Sequence, residues 1–142
     1  MKVEHILQSK GAEVFAVQRE DSIADAVATL NSNNIGAVVV KDDAERIVGI
    51  LSERDIVRRL SKQREAVLSL RVADCMTPDP FTCSPQATLD EVLAQMTDKR
   101  IRHLPVTENE KIVGVISIGD VVKRKIELAE QEAQALKEYI SS

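Results

Sequence analysis

A chain of 142 residues with no Trp, one Tyr and two Phe can close one compact domain, and its core has to be aliphatic. The formal net charge of −4 excludes a nucleic-acid protein held by overall charge, since neutralising phosphates takes many Lys and Arg on one surface. The two cysteines, Cys75 and Cys83, have neither zinc-site spacing nor the number of a disulfide framework. The N-terminus lacks a signal-peptide apolar run, and no apolar stretch reaches the roughly 20 residues of a bilayer span. The expected location is therefore the cytoplasm, with reduced thiols and no membrane partner.

In chain order, Val3–Leu7 reads as a short helical lead-in, followed by a link from Gln8 to Glu13 and a short β segment, Val14-Phe15-Ala16-Val17. Ser22-Ile23-Ala24-Asp25 is a helix start: a hydroxyl N-cap with an acid three residues on. Ile23, Val27 and Leu30 form its apolar, core-facing stripe. Two strands follow, Ile35–Val40 and Ile47–Leu51, around a turn at Asp42–Glu45. A helix opens after Ser52. Lys62–Leu70 carries no strong structural signal.

From Val72 the same order returns. Val72–Met76 matches Val3–Leu7, and Phe81-Thr82-Cys83 places a Phe at the register of Phe15. Thr88-Leu89-Asp90-Glu91 repeats the cap, with Leu89, Val92, Leu93 and Met96 as the stripe. Ile101–Val106 and Ile112–Ile116 repeat the strands, and a helix opens after Ser117. The sharpest match is Gly49-Ile50-Leu51-Ser52-Glu53-Arg54-Asp55 with Gly114-Val115-Ile116-Ser117-Ile118-Gly119-Asp120. The fold class is thus mixed α+β, two β-α-β-β-α units. Each unit, at about 60 residues, is marginal alone and is stabilised by packing on its copy. The final helix runs past the repeat with a heptad-like stripe, Val122, Ile126, Ala129, Ala133, Leu136 and Ile140, which suits packing in cis or in a homodimer. The expected division is repeat 1 at 1–61, linker 62–71, repeat 2 at 72–125 and helical extension 126–142.

The duplicated Ser-x-x-Asp corner has two readings. It is an ordinary helix cap with its acid in the first turn, and it is a polar site where a hydroxyl and helix N–H groups meet an anion. Arg102 and His103, with Lys99 and Arg100 before them, are either a solvated turn or a phosphate-binding set. Repeat 1 has Gly36-Ala37 in their place, which leaves Arg54 as the candidate cation there, for its own cleft or for the neighbouring one.

These residues resemble the cystathionine-β-synthase (CBS) domain, present as a tandem pair. The resemblance rests on the two Gly-aliphatic-aliphatic-Ser-x-x-Asp corners, on Ile101-Arg102-His103-Leu104-Pro105-Val106 and on Met76-Thr77-Pro78. It covers nearly the whole chain and is similar to small bacterial stand-alone CBS-pair signalling proteins. It implies pseudo-twofold packing and two clefts for adenosyl ligands: AMP, ADP or ATP, NAD(H), or S-adenosylmethionine. It also implies Asp55 and Asp120 as ribose acceptors beside Ser52 and Ser117. Adenine slots are expected at Val17, Ile23, Ala37, Val38 and Ile50, and at Thr82, Cys83, Leu89, Leu104, Pro105 and Val115. With Arg102 and His103 assigned to their own repeat, the Asp120 cleft is the expected anion site. The expected function is a regulatory nucleotide sensor that is not an enzyme, needs no catalytic cofactor or metal, forms a homodimer and signals to an unidentified protein. The alternative is a structural adaptor with non-functional clefts.

Overall fold

Each repeat's first long helix begins where a hydroxyl can cap it. Ser22 Oγ accepts from the Asp25 N–H at 3.1 Å, and Thr88 Oγ1 accepts from the Glu91 N–H at 3.1 Å. The computed structural model describes all residues except Ala12 and Ser142, so those members of the Gln8–Glu13 link and of the helical extension lie outside the described residues. Its helices are α1 (Val3–Lys10), α2 (Ile23–Asn33), α3 (Glu53–Gln63), α4 (Val72–Cys75), α5 (Leu89–Lys99) and α6 (Ile118–Ser141). Its strands are β1 (Ala16–Gln18), β2 (Ala37–Lys41), β3 (Ile47–Ser52), β4 (Thr77–Pro78), β5 (His103–Glu108) and β6 (Lys111–Ser117). One sheet has the order β1-β2-β3-β4 and the other is β5-β6; β1 and β2 pair in parallel, and β2-β3, β3-β4 and β5-β6 are antiparallel.

Three details differ from the sequence expectation. Val27 is 36% exposed, because α2 turns Ile23, Ala26 and Leu30 inward instead. The Lys62–Leu70 stretch is not featureless: Arg64–Ser69 is a 3-10 helix with Val67 buried in the first core. One apolar anchor among charged residues has no periodicity to reveal it. The segment at Cys83 forms only a single bridge to Val106, where repeat 1 has β1. In repeat 1 the Val39 N–H donates to the Phe15 carbonyl at 3.3 Å. Its counterpart is Pro105, which has no N–H to give Phe81.

The two cores do not follow the two repeats. Val3, Ile6 and Leu7 of α1 are buried among Leu89, Val92, Met96, Leu104 and Ile116 of repeat 2. Val72 and Cys75 of α4 are buried among Val17, Ile23, Leu30, Val38 and Leu51 of repeat 1. The lead helices have exchanged partners. The backbone shows the same exchange. Val3 and Glu4 N–H donate to Ala87 and Pro85 carbonyls, both at 2.9 Å, while Val72 and Ala73 N–H donate to Asp21 and Arg19 carbonyls at 2.8 and 3.0 Å. These are first-turn donors that a helix cannot satisfy internally.

The recurring glycine of the corner has its reason here. A Cβ on Gly114 would lie 2.6 Å from Leu7 Cδ2, and one on Gly49 would lie 2.5 Å from Met76 Sδ and 3.0 Å from the Thr77 carbonyl. Each glycine makes a flat seat for the other repeat's lead segment. Gly49→Val is expected to cost about 1–3 kcal/mol by overpacking. Gly114→Val is expected to cost less, because Leu7 is a side chain that can shift while the Thr77 carbonyl is backbone. Urea unfolding of the two variants checks the order.

Candidate functional site

The Ser-x-x-Asp corners are caps. At the first, Asp55 Oδ2 accepts from the Ser52 N–H (2.9 Å) and Oγ (3.0 Å), and Ser52 Oγ is 3.3 Å from the Asp55 N–H. At the second, Asp120 Oδ2 accepts from the Ser117 N–H at 2.8 Å, and Ser117 Oγ accepts from the Asp120 N–H at 3.1 Å. The cap uses Oδ2 in both. Oδ1 takes no hydrogen bond from any described residue. Both aspartates also line cavities, so a cap that fixes the carboxylate leaves an acceptor for something else.

The Asp55 cavity, about 470 Å³, combines the first corner with segments of repeat 2. Ser52, Arg54, Asp55 and Ile50 come from one side, and residues 77–81 and 100–103 from the other. Arg54, Arg58, Arg100 and Arg102 line it together, against the carboxylates of Glu53, Asp55 and Asp79. The Asp120 cavity, about 370 Å³, mirrors this arrangement: Val115, Ser117 and Asp120 face residues 34–37 of repeat 1, with Phe15, Lys10 and Glu13.

This overturns the expected pairing. Arg102 lies beside the second corner only by its backbone, its carbonyl accepting the Ile118 N–H at 2.8 Å, while the residue itself lines the Asp55 cavity. Each corner faces the strand start of the other repeat, so Gly36 and Ala37 face Asp120 and the arginines face Asp55. The Asp120 cleft is not the cation-rich one. Arg54 lines the cavity of its own Asp55.

His103 borders both cavities, as does Gly36. A Cβ on Gly36 would sit 3.3 Å from His103 Nε2, so the ring occupies space that a side chain at 36 would need. Burial pushes the imidazole below its ordinary value; Asp120 and Glu53 pull it up, and Lys10 and Arg102 push it further down. Burial on its own raises the Asp120 carboxyl, but the Lys10 ammonium and the Ser117 N–H outweigh it and hold it below the usual range.

Several expected slot residues are elsewhere. Val17, Ile23, Val38, Cys83, Leu89 and Leu104 are core; Pro105 is buried against β6 and Thr82 is exposed, and none lines either cavity. Of the expected apolar walls, Ile50 lies in the first cavity and Ala37 and Val115 in the second. Sequence reasoning missed the phenylalanines: Phe81 lines the Asp55 cavity and Phe15 the Asp120 cavity. Their matched register was the available signal. Lys99 stays outside, its ammonium 5.0 Å from the Phe81 ring centre. Burial raises the Cys83 thiol to about 11, which makes it a poor nucleophile at neutral pH.

A family model described as the CBS domain matches residues 3–62 and again 72–127. The chain belongs to the CBS-domain family. The CBS pair is 33% identical to the CBS domain-containing protein CBSX3, mitochondrial, of Arabidopsis thaliana over 97% of its own length and 71% of that protein's. The CBS-domain containing protein ATU1752 from Agrobacterium tumefaciens is 41% identical and superimposes with a TM-score of 0.85, over 87% of this chain and 92% of that one. The CBS pair of MJ0100, solved with 5′-methylthioadenosine and S-adenosyl-L-methionine, shares the fold at 22% identity and a TM-score of 0.77, over 87% of this chain and 91% of that one.

A pH dependence follows from His103. Its folded-state value is depressed, so the unfolded chain binds the proton more tightly near pH 6 and the CBS pair loses stability as pH falls through the ordinary imidazole range of about 6.5. The depressed Asp120 acts in a separate window: it supports the fold above the ordinary carboxylate value of about 3.9, and that support is lost only below it. Stability measured by denaturant at pH 5, 6 and 7 is expected to rise with pH, and His103→Gln to flatten that slope.

Proposed function

We propose that this CBS pair is a regulatory sensor of adenine nucleotides with two unequal clefts, and that the Asp55 cleft takes the more highly charged ligand. The gathering of Arg54, Arg58, Arg100 and Arg102 around one cavity carries this reading. Asp55 Oδ1 accepts the ribose diol; Ile50, Pro80 and Phe81 supply an apolar wall for adenine, and the guanidiniums bind a di- or triphosphate, bidentately where geometry allows. ADP and ATP fit this cleft better than AMP, whose single phosphate leaves guanidiniums unmatched. NAD(H) presents the same diphosphate. S-adenosylmethionine, a sulfonium cation, fits it poorly for the same reason. The Asp120 cleft reads a ribose in the same way with fewer cations.

The protein acts by binding, and no residue is assigned to catalysis. Among the described residues, no group of three or more His, Cys, Asp or Glu is placed to hold a metal. The exposed α6 residues Val122, Ile126, Leu136 and Ile140 support a homodimer contact. Among the described residues no helix is long and apolar enough to cross a membrane, and the buried, unbridged Cys75 and Cys83 suit a reducing cytoplasm. Its output is a change of shape read by a partner protein.

At 100 times its dissociation constant, ATP is expected to stabilise the fold by about 2.7 kcal/mol. Arg102→Ala should weaken ATP about tenfold or more and leave adenosine much less affected. Calorimetry and melting with ATP, ADP, AMP, NADH and S-adenosylmethionine check this. No heat and no melting shift with any of them would return the clefts to the structural-adaptor reading.

A further inference from the structure

The two lead helices are not equal: α4 has four residues and α1 has eight. The extra turn of α1 ends at Lys10, whose ammonium reaches the far repeat. It lies 2.8 Å from Asp120 Oδ2 and donates to the Val115 carbonyl at 3.1 Å. Lys10 thus sits inside the Asp120 cavity, on the carboxylate that reads the ribose in the function proposed above. Val3, Ile6 and Leu7 anchor the helix in the repeat 2 core, so the side chain projects from a fixed base.

We propose that Lys10 is the anion-recognising residue of the Asp120 cleft, and that its ion pair with Asp120 holds the ammonium where a ligand's anion meets it. This rests on the ribose reading of Asp120. The remaining argument is charge pairing. Oδ2 already accepts from the Ser117 N–H and from Lys10, so a diol donating to Oδ1 shares the carboxylate's charge with the ammonium. A ligand that takes Asp120 thereby weakens the ammonium's hold on its counter-ion. Its other acidic neighbour in the cavity is Glu13, and His103 offers no negative charge. A phosphate on the ligand re-pairs the ammonium; a bare nucleoside brings it no anion. The cleft therefore selects an adenosine monophosphate over adenosine, using a cation from the chain's first helix where the other cleft uses arginines from α3 and from a strand start.

Two-site calorimetry with AMP and with adenosine on the full chain tests this. In one site, wild type should prefer AMP about tenfold. Lys10→Met should abolish that preference from both directions: AMP weaker, and adenosine tighter because Asp120 is released. Lys10→Arg should keep it, and Arg102→Ala should alter only the other site. Lys10 is 42% exposed by side chain, so Lys10→Met should fold; Lys10→Gln gives a second variant, and melting checks both. An unchanged AMP-to-adenosine ratio in both Lys10 variants, or equal weakening of both ligands, overturns the proposal. If wild type binds neither ligand at any site, the nucleotide function itself falls.

Discussion

The seating of each lead segment on the other repeat's glycine is the contact on which the rest depends. Leu7 on Gly114 and Met76 on Gly49 tie the chain's halves together at two equivalent points. Neither half has a complete core without the other's helix. Buried apolar side chains of this size contribute about 1.5–3 kcal/mol each, so losing a lead helix removes several such contributions at once. The exchange ties the two cores to each other although the sequence reads as two units.

The same exchange sets the chemistry of the clefts. Because the repeats face each other across a pseudo-twofold axis, each corner meets the strand start of its copy, and His103 also reaches the corner of its own repeat. Arg100, Arg102 and His103 are thereby delivered to Asp55, and Asn34, Gly36 and Ala37 to Asp120. The electrostatic difference between the two clefts is thus written in repeat 2 for one and in repeat 1 for the other.

Helices, strands, caps and corners were legible because each has a local physical signature: a hydroxyl three residues before an acid, an apolar run of fixed period, a turn of polar residues. The family followed from the same corners. What was not legible is non-local. Arg102 immediately precedes the strand residue that pairs with Ser117, and membership of repeat 2 assigned it to Asp120; only the packing of the repeats brings it to the Asp55 cavity. Leu104, Val38 and Cys83 are apolar residues beside the corners, and apolarity alone does not separate a core residue from a ligand wall. Lys10 ends an ordinary-looking helix, and nothing near it in sequence points to an aspartate 110 residues away.

His103 borders both clefts, and its counterpart in repeat 1 is Ala37, which carries no ring. Two identical single-repeat chains pairing about a true twofold axis would have to place the same residue at both positions. They would have a ring at both, or at neither. Joining the copies in one chain removes that requirement. The fused chain is free to keep a ring on one side and leave the other bare, and with it to hold two different ligands, which a symmetric dimer of the same fold cannot do.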